Sequence, residues 1–325
     1  MDKVTKCSAY NVGLFLVELP GRTWNDLDLA TKEGLVAKCT LLHEYIHFIQ
    51  DTATYYGMLY RNGRYNNETD GVMASEVVGA NIAETEGVNA TIALEKGRMM
   101  FGDLVAGSVL LKENMAVAAQ EYAFEGCGSV NIPKSDNYTA ITRYVWRELP
   151  ALRCRFLLTF SLYDMALCTE DPVGALLHLI DYLKTINIER KIRYYVEEEL
   201  IGWLYDEGEA CLEQKGLIDY AKIRGEVKPG NMMRRSIEDS LCTLPFEGGQ
   251  VADHQQKDKL CSYFIQKSCM NLALRVNRPT VIARSLVEFK KSLDMEVLYP
   301  RFGQPYMLCI DENGNVNTNI GVIVK

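Results

Sequence analysis

Histidine is the scarcest polar resource in this chain, with four residues in 325, so two of them standing four positions apart carry weight that a histidine-rich protein would dilute. Cysteine is not scarce, at ten residues, but no CxxC pair occurs, which removes zinc ribbons and dithiol redox motifs from consideration. Scattered cysteines in a chain of this length read as buried reduced thiols of a cytoplasmic protein. There is no basic excess: 35 Lys and Arg stand against 43 Asp and Glu, a formal charge of -8. That excludes a broad electrostatic footprint for nucleic acid, and the pairs Arg234-Arg235 and Lys290-Lys291 are too short to reverse it. No stretch reaches the roughly 18 apolar residues that a membrane span requires. The short apolar run Val12 to Val17 closes at Glu18 and Pro20, and it reads as a strand rather than an export signal.

What is present is 48% hydrophobic and 24% charged, enough to build a large core. The pattern predicts a mainly α (α+β) protein, treated as one domain over residues 1-325, with a metal-binding half over 1-126 and a helical half over 139-325. Residues 9-19 read as an N-terminal strand, and Leu35, Cys39, Leu42, Ile46 and Ile49 set a helical stripe running from about Asn25 to about Tyr60. Turn residues fill 61-71. Further helices are expected at 73-97, 104-124, 139-148, 151-168, 174-186, 188-213, 232-242, 252-275 and 281-292, with 127-138 as loop. Tyr306 to Ile310 and Ile320 to Val324 flank Asp311-Glu312-Asn313-Gly314-Asn315, the signature of a C-terminal β-hairpin.

The chemistry is concentrated in Leu42-His43-Glu44-Tyr45-Ile46-His47-Phe48, an HExxH motif inside the expected amphipathic helix. Residues four apart share a helix face, so two imidazoles converge on one ion. Zn²⁺ takes neutral histidine nitrogens at about 2.0-2.1 Å and, in catalytic sites, keeps a position for water beside three protein ligands. Glu44 follows the first histidine about 100° round the helix, where its carboxylate can take a proton from such a water without being a ligand. The competing view is a helix whose two histidines merely edge its polar face.

A third ligand is needed, and Ala53 occupies the place where a third histidine would follow in one branch of these enzymes. A glutamate from a later helix is the alternative. Glu113 is preferred, because Ala116, Ala118 and Ala119 on its helix would let two backbones approach closely; Glu121, Glu84, Glu86 and Glu76 remain open. Leu110-Leu111-Lys112-Glu113-Asn114-Met115-Ala116 resembles the second motif of the gluzincins, the thermolysin-like and aminopeptidase-like metallopeptidases, and His43 to Gln50 resembles the first motif of little-characterised bacterial members. The resemblance spans Leu41 to Tyr122. It implies a zincin-like helical core, Zn²⁺ as cofactor, His43, His47 and Glu113 as ligands, Glu44 as general base, and a peptide or protein as substrate. Val117 departs from the pattern, standing where an orienting aspartate would follow the ligand, so Asp51 or Glu121 is expected to orient a histidine instead.

Other residues read as structure. His178 is expected in the core and His254 in solvent, while Tyr122 is the most economical donor to a developing oxyanion. Tyr55, Tyr56, Tyr60 and Tyr65 either line a cleft or pack in the core, and Glu197-Glu198-Glu199 reads as an exposed face. Two alternatives stand beside peptide hydrolysis by a zinc metallopeptidase: a non-catalytic interaction protein stapled by zinc, and a zinc hydrolase of a non-peptide amide. No membrane and no nucleic acid are expected as partners.

Overall fold

The computed structural model describes residues 9-11, 16-21, 31-61, 101-128, 130, 132, 136-226, 254-311, 313 and 316-318. The expected helices at 73-97 and 232-242, and with them Glu76, Glu84 and Glu86, lie outside these residues.

The mainly α class holds. Two short strands, β1 (Ala9–Asn11) and β2 (Leu16–Pro20), replace the single expected strand and pair antiparallel, Tyr10 opposite Val17. The helix carrying the motif is α1 (Lys32–Ala53), started by Thr31, whose hydroxyl accepts from the Gly34 N–H at 3.3 Å. It does not run on to Tyr60. Thr54 is extended, and its side chain serves both sides of the break, donating to Gln50 O and accepting from Gly57 N–H at 3.1 Å. The chain resumes as α2 (Tyr55–Arg61). The bend brings Gly57 so close to α1 that a Cβ there would sit 2.3 Å from the Gln50 carbonyl oxygen, so only glycine fits.

Helix α3 (Phe101–Ala123) is the central beam, touching α1, α4 (Asp136–Glu148), α5 (Phe156–Ala166), α6 (Pro172–Thr185) and, further on, α11 (Val281–Ser292). Ala116, Ala118 and Ala119 are buried, as the close approach of α1 requires. The expected helix over 151-168 opens instead as a 3₁₀ turn at Pro150–Leu152, and α4 starts three residues earlier than its pattern suggested. Residues 188-213 split into α7 (Ile188–Tyr194) and α8 (Glu197–Gln214), because Tyr195 is extended. A short α9 (Tyr220–Glu226) follows, then α10 (His254–Asn277), which packs on α1, then α11, a 3₁₀ turn at Met295–Val297 and α12 (Tyr299–Phe302).

The hairpin is present but shorter and earlier than expected: β3 (Tyr306–Ile310) pairs antiparallel with β4 (Val316–Thr318), and 320-324 lie outside the described residues. β3 also pairs parallel with β2, Leu16 opposite Tyr306, giving a four-stranded sheet in the order β1-β2-β3-β4. The sheet leans on α1. Buried bonds lock the C-terminal segment to α1 and α10: the Tyr45 hydroxyl of α1 lies 2.9 Å from Gly303 O and 3.2 Å from Leu298 O, and Asn271 Nδ2 of α10 donates to Phe302 O at 2.8 Å and to Thr52 Oγ1 of α1 at 3.1 Å.

Several expectations about single residues change. His178 is exposed on α6, because Val173, Leu176, Ile180 and Leu183 take the inward stripe. The side chains of His254, Tyr60 and Tyr65 lie outside the described residues, while Tyr55 and Tyr56 are core. Glu197 is not on a bare face: its carboxyl is half-buried near the Leu157 N–H at the start of α5. The seven described cysteines are free, and Cys154 is exposed rather than buried. Among the described residues, no helix is long and apolar enough to cross a membrane.

Candidate metal centre

α1 presents His43 and His47 one turn apart, and α3 crosses it so that Glu113 meets both. The His43 Nε2 and His47 Nε2 atoms lie 3.2 Å apart, Glu113 Oε2 is 3.2 Å from the first, and Glu113 Oε1 is 3.4 Å from the second. Three bonds of about 2.0-2.1 Å at tetrahedral angles would place ligand atoms about 3.3 Å apart, a spacing the two Nε2 atoms match; the carboxylate completes the triangle by facing one imidazole with each oxygen, and one atom taken from each residue gives a set within 4.8 Å. These side chains form a group able to hold a metal ion. The histidine side chains are 13% and 11% exposed and that of Glu113 is 29% exposed, so the group is largely buried and meets solvent mainly at the carboxylate residue.

Whether nitrogen lone pairs face that triangle depends on what holds the other ring nitrogens, and two glutamines decide it. His47 Nδ1 lies 2.9 Å from Gln50 Oε1, and His43 Nδ1 lies 3.1 Å from Gln120 Oε1. The amide orientation is set by each glutamine's other end: Gln50 Nε2 donates to Lys112 O at 2.9 Å, and Gln120 Nε2 donates to Cys39 O at 2.9 Å. A carbonyl oxygen accepts only from N–H, so the amide oxygens must face the histidines, and each Nδ1 must carry the proton. Both Nε2 atoms therefore turn lone pairs toward Glu113 when the rings are neutral. The arrangement is reciprocal. Gln50 of α1 grips the α3 backbone beside Glu113, and Gln120 of α3 grips the α1 backbone one turn before His43.

Without a metal, the ligands share protons. Burial works against a charge on His47, but the carboxylates of Glu113 and Glu44 outweigh it and raise the imidazole to about 9. Burial likewise favours neutral Glu113, yet the two histidines overcome it and hold the carboxyl below the usual range. Glu44 is buried on α1, and its charge reaches His47.

Of the expected site residues, His43, His47 and Glu113 come together, with Glu44 beside them. Asp51 does not orient a histidine: fully buried, it takes the Lys112 ammonium at 2.8 Å and ties α1 to α3 beside the site. The orienting work expected of Asp51 or Glu121 falls to their immediate neighbours Gln50 and Gln120. The signal for them was in the spacing, since Gln120 follows Glu113 by two helical turns and Gln50 follows His47 by three residues. Tyr122 is also reassigned. Its hydroxyl donates to Glu198 Oε1 at 3.1 Å and its ring lies under the Lys290 ammonium at 4.2 Å, which holds it on the α8 and α11 side of α3.

Comparisons with protein-family models, curated proteins and solved structures find no match to this chain.

Proposed function

We propose that this chain is a zinc-dependent hydrolase acting on peptide bonds, with His43, His47 and Glu113 as ligands and Glu44 as general base. The observation that carries the reading is the convergence of two imidazoles, their Nε2 atoms 3.2 Å apart, on the Glu113 carboxylate, whose two oxygens lie 3.2 and 3.4 Å from them, with both histidine tautomers fixed from behind. Two neutral nitrogens and one carboxylate suit zinc, and three protein ligands rather than four suit a catalytic rather than a structural site. When bound there, zinc would supply a Lewis acid and lower the pKa of a coordinated water to about 7.

The protein's own share is positional. Gln50 and Gln120 hold the Nδ1 protons and so leave Nε2 as the atom each ring turns toward Glu113, while Lys112 and Asp51 hold the two helices at fixed spacing. Glu44 receives the proton of the attacking water and returns it to the leaving amine, which breaks the C–N bond with no net consumption of the base. A structural staple would have no use for a carboxylate in that place.

The test is metal content and proteolysis of the wild type beside Glu44→Gln. Zinc in both, with cleavage by the wild type alone, is the expected result. Absence of stoichiometric zinc from both would refute the metal reading, and zinc with equal cleavage would refute Glu44 as base. Glu113→Gln is expected to lower zinc affinity, and unchanged affinity would move the third ligand elsewhere.

A further inference from the structure

An apolar corner and a group of unpaired cations meet where α7 gives way to α8. Among the described residues five large hydrophobic side chains are exposed, and three of them are consecutive: Tyr194 at 73%, Tyr195 at 52% and Val196 at 59%. Tyr195 and Val196 are extended, so the chain turns there between the two helices. α7 buries Ile188 and Ile192 and leaves Arg190, Lys191 and Arg193 exposed, with Arg190 on the same face as Tyr194. None of these three cations pairs with a carboxylate among the described residues, whereas Lys184, Lys222, Lys290 and Lys291 each do. The Lys191 ammonium lies instead 5.4 Å from the centre of the Trp203 ring on α8.

Neighbouring acids do not cancel this charge. Glu189 lines the groove it shares with Leu149, Leu183 and Lys184. The half-buried Glu197 is met by the charges of Arg155 and Lys290, and Glu198 takes the Tyr122 hydroxyl and the Lys291 ammonium, both at 3.1 Å. Glu199 is left as the exposed carboxylate of that run.

We infer that this corner docks on an anionic lipid bilayer, with Tyr194, Tyr195 and Val196 entering the headgroup layer and Arg190, Lys191 and Arg193 meeting its negative charge. Tyrosine suits that layer because its ring is apolar and its tip polar, and each cation near an anionic leaflet adds to the attraction. A peptide partner would need walls around its side chains, and residues exposed by half or more have none. A second copy docked by two-fold symmetry would set these cations against their own counterparts. The chain as a whole carries a formal charge of -8, so an anionic surface repels its other faces and selects this one. Docking of this kind needs no helix that crosses the bilayer, and it is independent of the hydrolase reading.

The experiment is co-sedimentation of the full chain with phosphatidylcholine vesicles, with and without about 30% phosphatidylserine, at about 0.1 M salt. Wild type should bind the anionic vesicles in preference to the neutral ones. Arg190→Gln/Lys191→Gln/Arg193→Gln should bind about a hundredfold more weakly, at about fivefold per cation. Tyr194→Ser/Tyr195→Ser should lose about tenfold or more. Lys215→Gln/Arg278→Gln/Arg284→Gln changes the net charge equally at exposed cations elsewhere and should stay within about threefold of wild type. Circular dichroism and melting temperature like those of the wild type show that each variant is folded. Wild-type binding that ignores phosphatidylserine, or a variant of the α7 cations that binds as wild type does, would overturn the inference. So would self-association of the wild type that the tyrosine variant loses, which would assign the corner to a second copy.

Discussion

Replacing Gln120 by methionine keeps the volume of the side chain and deletes its polar contacts, so it isolates what the amide does for the proposed ligands. Three contacts vanish: the one to His43 Nδ1 at 3.1 Å, the one to Cys39 O at 2.9 Å and the weaker one to Cys39 Sγ at 3.3 Å. The Cys39 carbonyl lies within α1, where the backbone N–H four residues on supplies a donor, so the loss there is small. The His43 Nδ1–H is different, because its side chain is 13% exposed and water reaches it poorly. An unmade bond of that kind costs about 1-3 kcal/mol. The imidazole can escape part of that cost by moving the proton to Nε2, but that blocks the lone pair needed for a metal. Zinc affinity should therefore fall about 10-100-fold, the range found when partners behind metal-bound histidines are removed, or about 1.4-2.7 kcal/mol. Competition against a chromophoric chelator measures this directly, and Gln50→Met should behave alike through His47. Zinc affinities within twofold of wild type in both variants, alongside a clear loss in Glu113→Gln, would refute the argument that the glutamines set the ligand tautomers.

Zinc binding should release close to one proton from His47 near pH 7.5, because the imidazole raised to about 9 must become neutral to bind; calorimetry in buffers of different ionisation enthalpy counts it. The same shift predicts that the metal-free protein gains stability from His47 that is complete below pH 6.5 and lost as pH rises through about 9. Burial lifts Glu197 to about 7, so its stabilising neutral form is complete below pH 4.5 and is lost as pH rises through about 7. Glu197→Gln should become more stable relative to wild type by about 1-2 kcal/mol between pH 5 and pH 8, and a melting-temperature difference that ignores pH would refute this. Arg275, 1% exposed, pairs with Asp164 at 3.2 Å and lies 3.1 Å from Cys168 Sγ. Arg275→Met leaves that carboxylate buried without its counter-charge and should cost about 3-5 kcal/mol in urea unfolding, and a loss under 1 kcal/mol would show that the cluster is solvated.

Much of the local structure was legible in the residues. The i, i+4 histidines lie on one face because the helical period puts them there, and the small residues around Glu113 announced a close helix crossing that the buried Ala116, Ala118 and Ala119 display. Helix ends were less legible. The break at Thr54 depends on Gly57 passing under the Gln50 carbonyl, and the break at Tyr195 has no proline or glycine to announce it. His178 sits in an apolar run, yet it falls on the outer face because neighbouring apolar residues fill the inner one.

For the site, the sequence alone determined the pair of histidines, the glutamate between them and the need for one more ligand, because those rest on the period of a single helix and the valence of a metal. Only the tertiary structure chose Glu113 over Glu121 in bringing α3 across α1, set Asp51 against Lys112, and gave the orienting work to Gln50 and Gln120. The reason is physical. Which carboxylate, amide or phenol arrives opposite a given face is fixed by the packing of two helices far apart in the chain, and that packing follows from side-chain volumes summed over the whole core rather than from any local pattern.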